Sequence, residues 1–179
     1  MANNMINIST QNITLASAQR AVAGNQNGYF AIVSFYCSGT GNRPNSTGLT
    51  IKFDPRLTLL GNDWGNIFAS NIYDSQGHRV SNLSGITPTQ EQKGDNVWFA
   101  ATSSANAMTA DYMMYYACVQ FPDDVEVGDV FTIEVILEDE NHNPCEFLYA
   151  DSTADDATNQ TDMAWTKNNL VAGRITVIE

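Results

Sequence analysis

Hydrophobic and polar residues alternate most clearly in the stretch YMMYYACVQFPDDVEVGDVFTIEVIL, residues 112–137. Met113, Tyr115, Ala117, Val119 and Phe121 share one parity, and Met114, Tyr116, Cys118 and Gln120 share the other. A period of two places alternate side chains on opposite faces of a sheet, so this segment predicts a strand. Pro122-Asp123-Asp124 stops it, because proline cannot donate to a ladder and aspartate favours turns. Gly128-Asp129 is a second turn signal before a β-branched and aromatic strand over 130–137.

The same reading applied along the chain predicts a first strand over 6–16, a turn over 24–28 and a strand over 29–37. The last is an almost continuous apolar run, of the kind found where a strand is covered on both faces or nearly so. A polar loop over 38–48 leads to a strand over 49–53, with Leu49, Ile51 and Phe53 inward and Thr50 and Lys52 outward. Asp54-Pro55 turns the chain, and Leu57, Leu59 and Leu60 are expected to plug one end of the core. Residues 61–94 carry the weakest pattern; Trp64, Ile67, Phe68, Ile72 and Tyr73 fit a short helix or a flap, with a hairpin turn at Asp74–Gly77. Further strands are predicted over 95–101, 145–150 and 170–178, separated by a loop over 102–111, an acidic turn over 138–144 and a polar excursion over 151–162. Several short strands with turn signals and little helical periodicity indicate an all-β sandwich.

A chain of 179 residues is one domain, large enough for a single substantial core. Twenty acidic against eight basic residues give a net charge of −12, a field that repels nucleic acid and anionic lipid and favours a basic or cation-loaded partner. Cys37, Cys118 and Cys145 form no CxxC pair, so zinc and redox signatures are absent, and no apolar run reaches the length of a membrane span. Met1–Asn4 lack the design of a signal peptide. The expectation is one module, 1–179, of a longer secreted protein, with residues 1–5 as linker or an engineered start. Asn-x-Ser/Thr matches at Asn7, Asn12, Asn45, Asn82 and Asn159 are compatible with such a surface.

Catalytic chemistry finds little support. His78 and His142 both lie in polar turns, and no nucleophile elbow, phosphate loop or HExxH motif occurs. Glycosidases need two carboxylates facing each other across a cleft, whereas most acids here lie in turns. Asp139-Glu140-Asn141-His142-Asn143 begins like a calcium loop, but Pro144 stands where glycine is required and Ala150 where the closing glutamate belongs; a hairpin turn is the plainer reading. The outward positions of the sheet are better candidates. If Val97 and Phe99 point inward, then Asn96, Trp98 and Ala100 point out. Likewise Met114, Tyr116 and Cys118 are out if Met113, Tyr115 and Ala117 are in. An apolar patch with polar edges, anchored by Trp and Tyr, marks a protein interface.

Four stretches, in order, resemble one family. PDDVEVGDVFTIE is similar to the segment late in cohesin modules, the receptor domains of bacterial cellulosome scaffolds, and its acidic turn is most like that of cohesins from rumen clostridia, the Ruminococcus type. LTIKFDPRL (49–57) resembles the cohesin strand that ends in an aromatic-Asp-Pro-x-Leu corner. VWFAA (97–101) resembles the following strand, and GRITV (173–177) the terminal one. The resemblance implies a nine-stranded jelly-roll β-sandwich with short helical or flap insertions. It also implies a non-catalytic function, docking the dockerin modules of enzymes onto an extracellular or cell-surface scaffold. Calcium would belong to the dockerin, and this chain would carry no cofactor. Carried over by strand, the binding face comprises Thr50, Lys52, Asn96, Trp98, Ala100, Met114, Tyr116, Glu146 and Leu148. The first of these strands departs from the acidic or polar pattern of many cohesins by offering Ser46, Gly48, Thr50 and Lys52. Two other readings are a carbohydrate-binding jelly roll, stacking sugars on Trp98, Trp64 or Tyr116, and a hydrolase using clustered acids.

Overall fold

The computed structural model describes residues 5–22, 26–38, 44–61, 66–69, 88–103, 112–151 and 170–179. In chain order its elements begin with β1 (Met5–Ile8), β2 (Thr10–Thr14), the one-turn helix α1 (Leu15–Ala18), β3 (Gln19–Val22), β4 (Gln26–Ser38) and β5 (Pro44–Phe53). β6 (Thr58–Leu60), β7 (Phe68–Ala69), β8 (Thr89–Gly94), β9 (Val97–Ser103) and β10 (Tyr112–Gln120) follow. The last are β11 (Val130–Val135), β12 (Leu148–Asp151), β13 (Leu170–Val171) and β14 (Gly173–Ile178). They form two sheets. The first runs β13-β1-β4-β10-β6, with β3 on β4 and β7 on β10. The second runs β2-β14-β11-β5-β9-β8, with β12 on β5. The all-β sandwich expected from the alternation is therefore the architecture.

The core lies between the sheets. Ile6, Ile8, Ala31, Val33, Phe35 and Cys37 face it from the first, and Leu49, Ile51, Phe53, Phe131, Ile133 and Val177 from the second. Phe35, Phe53, Phe68 and Tyr115 meet ring to ring at 5.2–6.5 Å between centroids, tying β4, β5, β7 and β10 together. Each buried aromatic of this kind contributes about 1.5–3 kcal/mol. Tyr115 also donates its hydroxyl to the Ala100 carbonyl at 3.4 Å, a polar link across the sandwich.

The predicted strand over 6–16 is divided. β1 joins the first sheet, Ser9 breaks the run, and β2 joins the second before α1, whose N-cap Thr14 accepts from the Ser17 amide. The chain's last segment switches sheets in the same way, β13 lying parallel to β1 and β14 parallel to β2. Where the two switches cross, a Cβ on Gly173 would sit 2.4 Å from Ile8 and 2.7 Å from the Ser9 carbonyl, so only glycine fits. Among the described residues the strand over 29–37 is covered on one side only: Val33 and Phe35 are fully buried while Ile32 is 57% exposed. Leu57 is buried and Leu59 packs on the core, but Leu60 lies opposite Cys118 at the sheet edge. The strand predicted to start at 145 starts at Leu148, because Pro144 bridges to Glu138 and holds the preceding residues in a turn. Of the segment 61–94, Phe68–Ala69 and Thr89–Gly94 are strands. Trp64, Ile72, Tyr73, the turn at Asp74–Gly77, His78 and most of 151–162 lie outside the described residues.

Candidate protein-docking face

The pairing of β5 with β9 decides which side chains share a side. Leu49 lies opposite Ala100 and Ile51 opposite Trp98, whereas Thr50 lies opposite Phe99 and Lys52 opposite Val97. Leu49 and Ile51 are fully buried, so Trp98 and Ala100 turn inward with them and Val97 and Phe99 turn outward. This reverses the parity expected for β9. Val-Trp-Phe-Ala-Ala is apolar at every position, so alternation holds no information about which set is inside; the cross-strand register does. Trp98 meets the ring of buried Phe68 at 6.4 Å and packs against the core.

Two further expected positions move for separate reasons. Met114 has no exposure, and its sulfur accepts from the Thr47 hydroxyl at 3.4 Å inside the sandwich. The register shifts between Met113 and Tyr115, opposite Tyr36 and Phe35, so Met114 is an extra residue at a β-bulge. Tyr116 does point outward, but from the first sheet, opposite Ser34, on the far side of the sandwich from Thr50. Asn96 is a turn residue with φ 55°; its side-chain amide donates to the carbonyls of Asp54 (2.8 Å) and Leu57 (2.9 Å). It fastens the β8–β9 turn to the Asp-Pro corner.

The remaining expected residues, Thr50, Lys52, Glu146 and Leu148, do come together on the outer side of the second sheet. Gly48 lies beneath Phe99 and beside Leu148: a Cβ there would be 2.8 Å from the Phe99 ring and 3.1 Å from Leu148 Cβ. Thr50 is only 2% exposed, because its hydroxyl donates to the Glu146 carbonyl at 2.8 Å and the chain before β12 lies over it. The face thus has an apolar strip of Val97, Phe99 and Leu148 over a floor of small residues. Among the residues missed from sequence, Val97 and Phe99 had been placed inside, and Glu91 and Lys93 belong to the polar strand β8, where apolar alternation offers no signal.

Charge frames the strip. Lys93 Nζ bonds Glu91 at 2.9 Å and Glu146 at 2.8 Å while lying 5.7 Å from the Phe99 ring centroid. The bonds to Glu146, then Glu91, hold its ammonium above the ordinary lysine pKa. Lys52 reaches Glu140 at 3.8 Å. Two of the chain's three lysines therefore stand on this face. Beside them an open cleft of ≈ 1190 Å³ separates the 136–146 segment from the β8–β9 turn, lined by Lys52, Lys93, Val97, Glu134, Glu138 and Glu146 among others. Its rim is stiff. Asp139 accepts from the amides of Asn141 (2.8 Å) and Asn143 (2.9 Å) and from the Asn143 side chain (3.1 Å). These bonds, led by those from Asn143, hold its carboxyl below the ordinary range. The stretch that begins like a calcium loop is thus a hairpin turn closed on its own aspartate. No cluster of three potential metal ligands occurs among the described residues.

No protein-family model matches the sequence, and no curated protein matches it. Solved structures do. A type III cohesin module from a cell-surface anchoring scaffoldin of Ruminococcus flavefaciens superposes with a TM-score of 0.67 at 22% identity, over 99% of this chain and 89% of that one. The sixth cohesin of scaffoldin B from Acetivibrio cellulolyticus, solved in complex with a dockerin, gives 0.60 at 13% identity over 97% and 98%. A third cohesin of another scaffoldin from that organism, also solved with a dockerin, gives 0.53 at 14% identity over 98% and 99%. The chain has the fold of cohesin modules, as the four sequence stretches implied.

Proposed function

We propose that this chain is a non-catalytic docking module whose outer second-sheet face receives a dockerin, so joining enzymes to an extracellular scaffold. The observation that carries this reading is the strip Val97–Phe99–Leu148, flanked by the ion-paired Lys93 and Lys52, on strands whose inner sides pack into the core. An apolar centre with a polar rim on a rigid sheet is the anatomy of a protein interface, and a rigid face docks with little rearrangement. Cohesins of the same fold have been solved with dockerins, which supports the class of partner. The nine strands of a jelly roll fit the elements once β1–β2 and β13–β14 each count as one strand that changes sheet and the short β3, β7 and β12 are set aside. Site residues are then Lys52, Val97, Phe99, Leu148, Lys93 and Glu146, with Thr50 and Gly48 as floor. Calcium belongs to the partner.

The sugar-stacking alternative loses Trp98, which packs inward against Phe68, and Tyr116 stands on the opposite sheet from it, while Trp64 lies outside the described residues. The test is calorimetry of this chain against a panel of calcium-loaded dockerins. The reading expects submicromolar binding of at least one, abolished by EDTA. Silence across the panel together with affinity for a glycan would overturn it.

A further inference from the structure

The outer side of the first sheet presents a second surface, and its composition is unlike the rest of the molecule. Six of the seven strands of this sheet, β1, β4, β6, β7, β10 and β13, contain no charged residue, and the seventh, β3, carries one, Arg20, opposite Gly28, in a chain with twenty acidic and eight basic side chains. One row of this surface crosses three adjacent strands, Ile32 on β4, Cys118 on β10 and Leu60 on β6. Neighbouring rows carry Tyr36 and Tyr116 on the same side. Ile32 is the most exposed large hydrophobic residue described, at 57%, and Val171 at the other edge is 42% exposed. The run 29–37 has the apolar content of a strand covered on both sides, yet the described residues cover only one.

We propose that this face is a contact between two copies of the chain. Molecules of net charge −12 repel one another, and a neutral patch is where two of them can meet without opposing carboxylates. A strongly charged partner would find no opposite charge on the six uncharged strands. Uncharged Tyr, Ser, Gln and aliphatic groups can face their own image about a two-fold axis, the commonest symmetry of homo-oligomers. The area sets the strength. Five strands spaced by about 4.8 Å span roughly 24 Å. The outward residues Phe30 to Tyr36 span about 20 Å at about 3.3 Å per residue. That is roughly 500 Å² per copy and about 1,000 Å² in total, at the lower edge of specific contacts. The dimer is accordingly weak and forms as concentration rises.

Sedimentation equilibrium of the whole chain from about 10 μM to 1 mM, the range where a contact of this size associates, tests the proposal. The mass is expected to climb from 19.6 kDa toward twice that value. Ile32→Lys, at an exposed position that leaves the core untouched, is expected to stay monomeric with an unchanged melting temperature. Val127→Lys, equally solvent-facing in the acidic turn, is expected to dimerise like the parent. A parent chain that remains monomeric to about 1 mM, or an Ile32→Lys variant that associates as the parent does, overturns the proposal. The surface lies on the opposite sheet from the docking face, so Ile32→Lys keeps its dockerin affinity, and either reading can fail without the other.

Discussion

Gly48→Ala probes how the docking face is held. No positive φ is required at Gly48, so alanine fits the backbone, and the conflict lies in the side-chain space alone. The new methyl would stand 2.8 Å from Phe99 Cζ and 3.1 Å from Leu148 Cβ, against a comfortable carbon–carbon separation of about 3.5–4.0 Å. The Phe99 ring must therefore lift by about 1 Å. Overpacking of this size costs about 1–3 kcal/mol, while replacing glycine stiffens the unfolded chain and returns about 0.4–1 kcal/mol. The two ranges leave a net loss centred on about 1.3 kcal/mol, or a melting temperature lower by about 3–5 °C for a chain of this length. Because the ring is the centre of the apolar strip, partner affinity should fall at least about tenfold. Thermal unfolding and calorimetry of Gly48→Ala, Phe99→Ala and the double variant measure both quantities. With the ring gone, most of the Gly48→Ala penalty should vanish, a coupling expected of residues in contact. If Gly48→Ala destabilises the Phe99→Ala background as much as the parent, the clash is not the cause and the reasoning fails.

Three other predictions rest on neighbouring features. The Asp54 carboxylate accepts from the Arg56 side chain at 3.1 and 3.2 Å and from its amide at 3.0 Å; burial acts to raise its pKa, but these bonds and the Arg56 charge outweigh it and hold the pKa below the ordinary value. A depressed carboxyl stabilises above its unfolded pKa and loses that contribution as pH falls through the folded one, so urea denaturation should show the advantage of the parent over Asp54→Asn, about 1 kcal/mol at pH near 7, shrinking below about pH 4; a difference constant down to pH 2.5 would contradict this. Asn96→Ala should cost about 2 kcal/mol, losing two hydrogen bonds and a tolerated positive φ, and Asn96→Gly should recover the conformational part; equal losses in chemical denaturation would assign the whole effect to the hydrogen bonds. Addition of about 10 mM calcium should leave the melting temperature of this chain unchanged, since Asp139 is engaged by its own turn; a rise of several degrees would reveal a site.

Much of the sandwich was legible in the sequence because β11 and β14 alternate cleanly, β10 does so beyond its bulge, and Pro122, Asp123 and Gly128 punctuate β10 and β11. The candidate site was legible only in part. In β5 a single lysine between Ile51 and Phe53 marks the outer side, and Lys52 stands there. In β9 every residue is apolar, and a period-two pattern cannot choose a face without a polar partner set; register against β5 supplied the choice. In β10 one inserted residue, Met114, exchanged the parity ahead of the bulge. The division of the first strand at Ser9 had no marker of its own, since it depends on Gly173 far along the chain. Lys93 escaped the strand pattern because it lies in a polar segment, and only folding brings it within 2.8 Å of Glu146, a position the resemblance had already placed on the face.

The central claim is that docking uses the outer side of the second sheet, with Phe99 at its middle. The most direct measurement is calorimetric affinity for one cognate calcium-loaded dockerin, comparing Phe99→Ala with Tyr116→Ala on the opposite sheet. The account predicts a loss of at least about 1.4 kcal/mol, tenfold, for Phe99→Ala and no change for Tyr116→Ala. Undiminished binding by Phe99→Ala with weakened binding by Tyr116→Ala would place docking on the other face and contradict it.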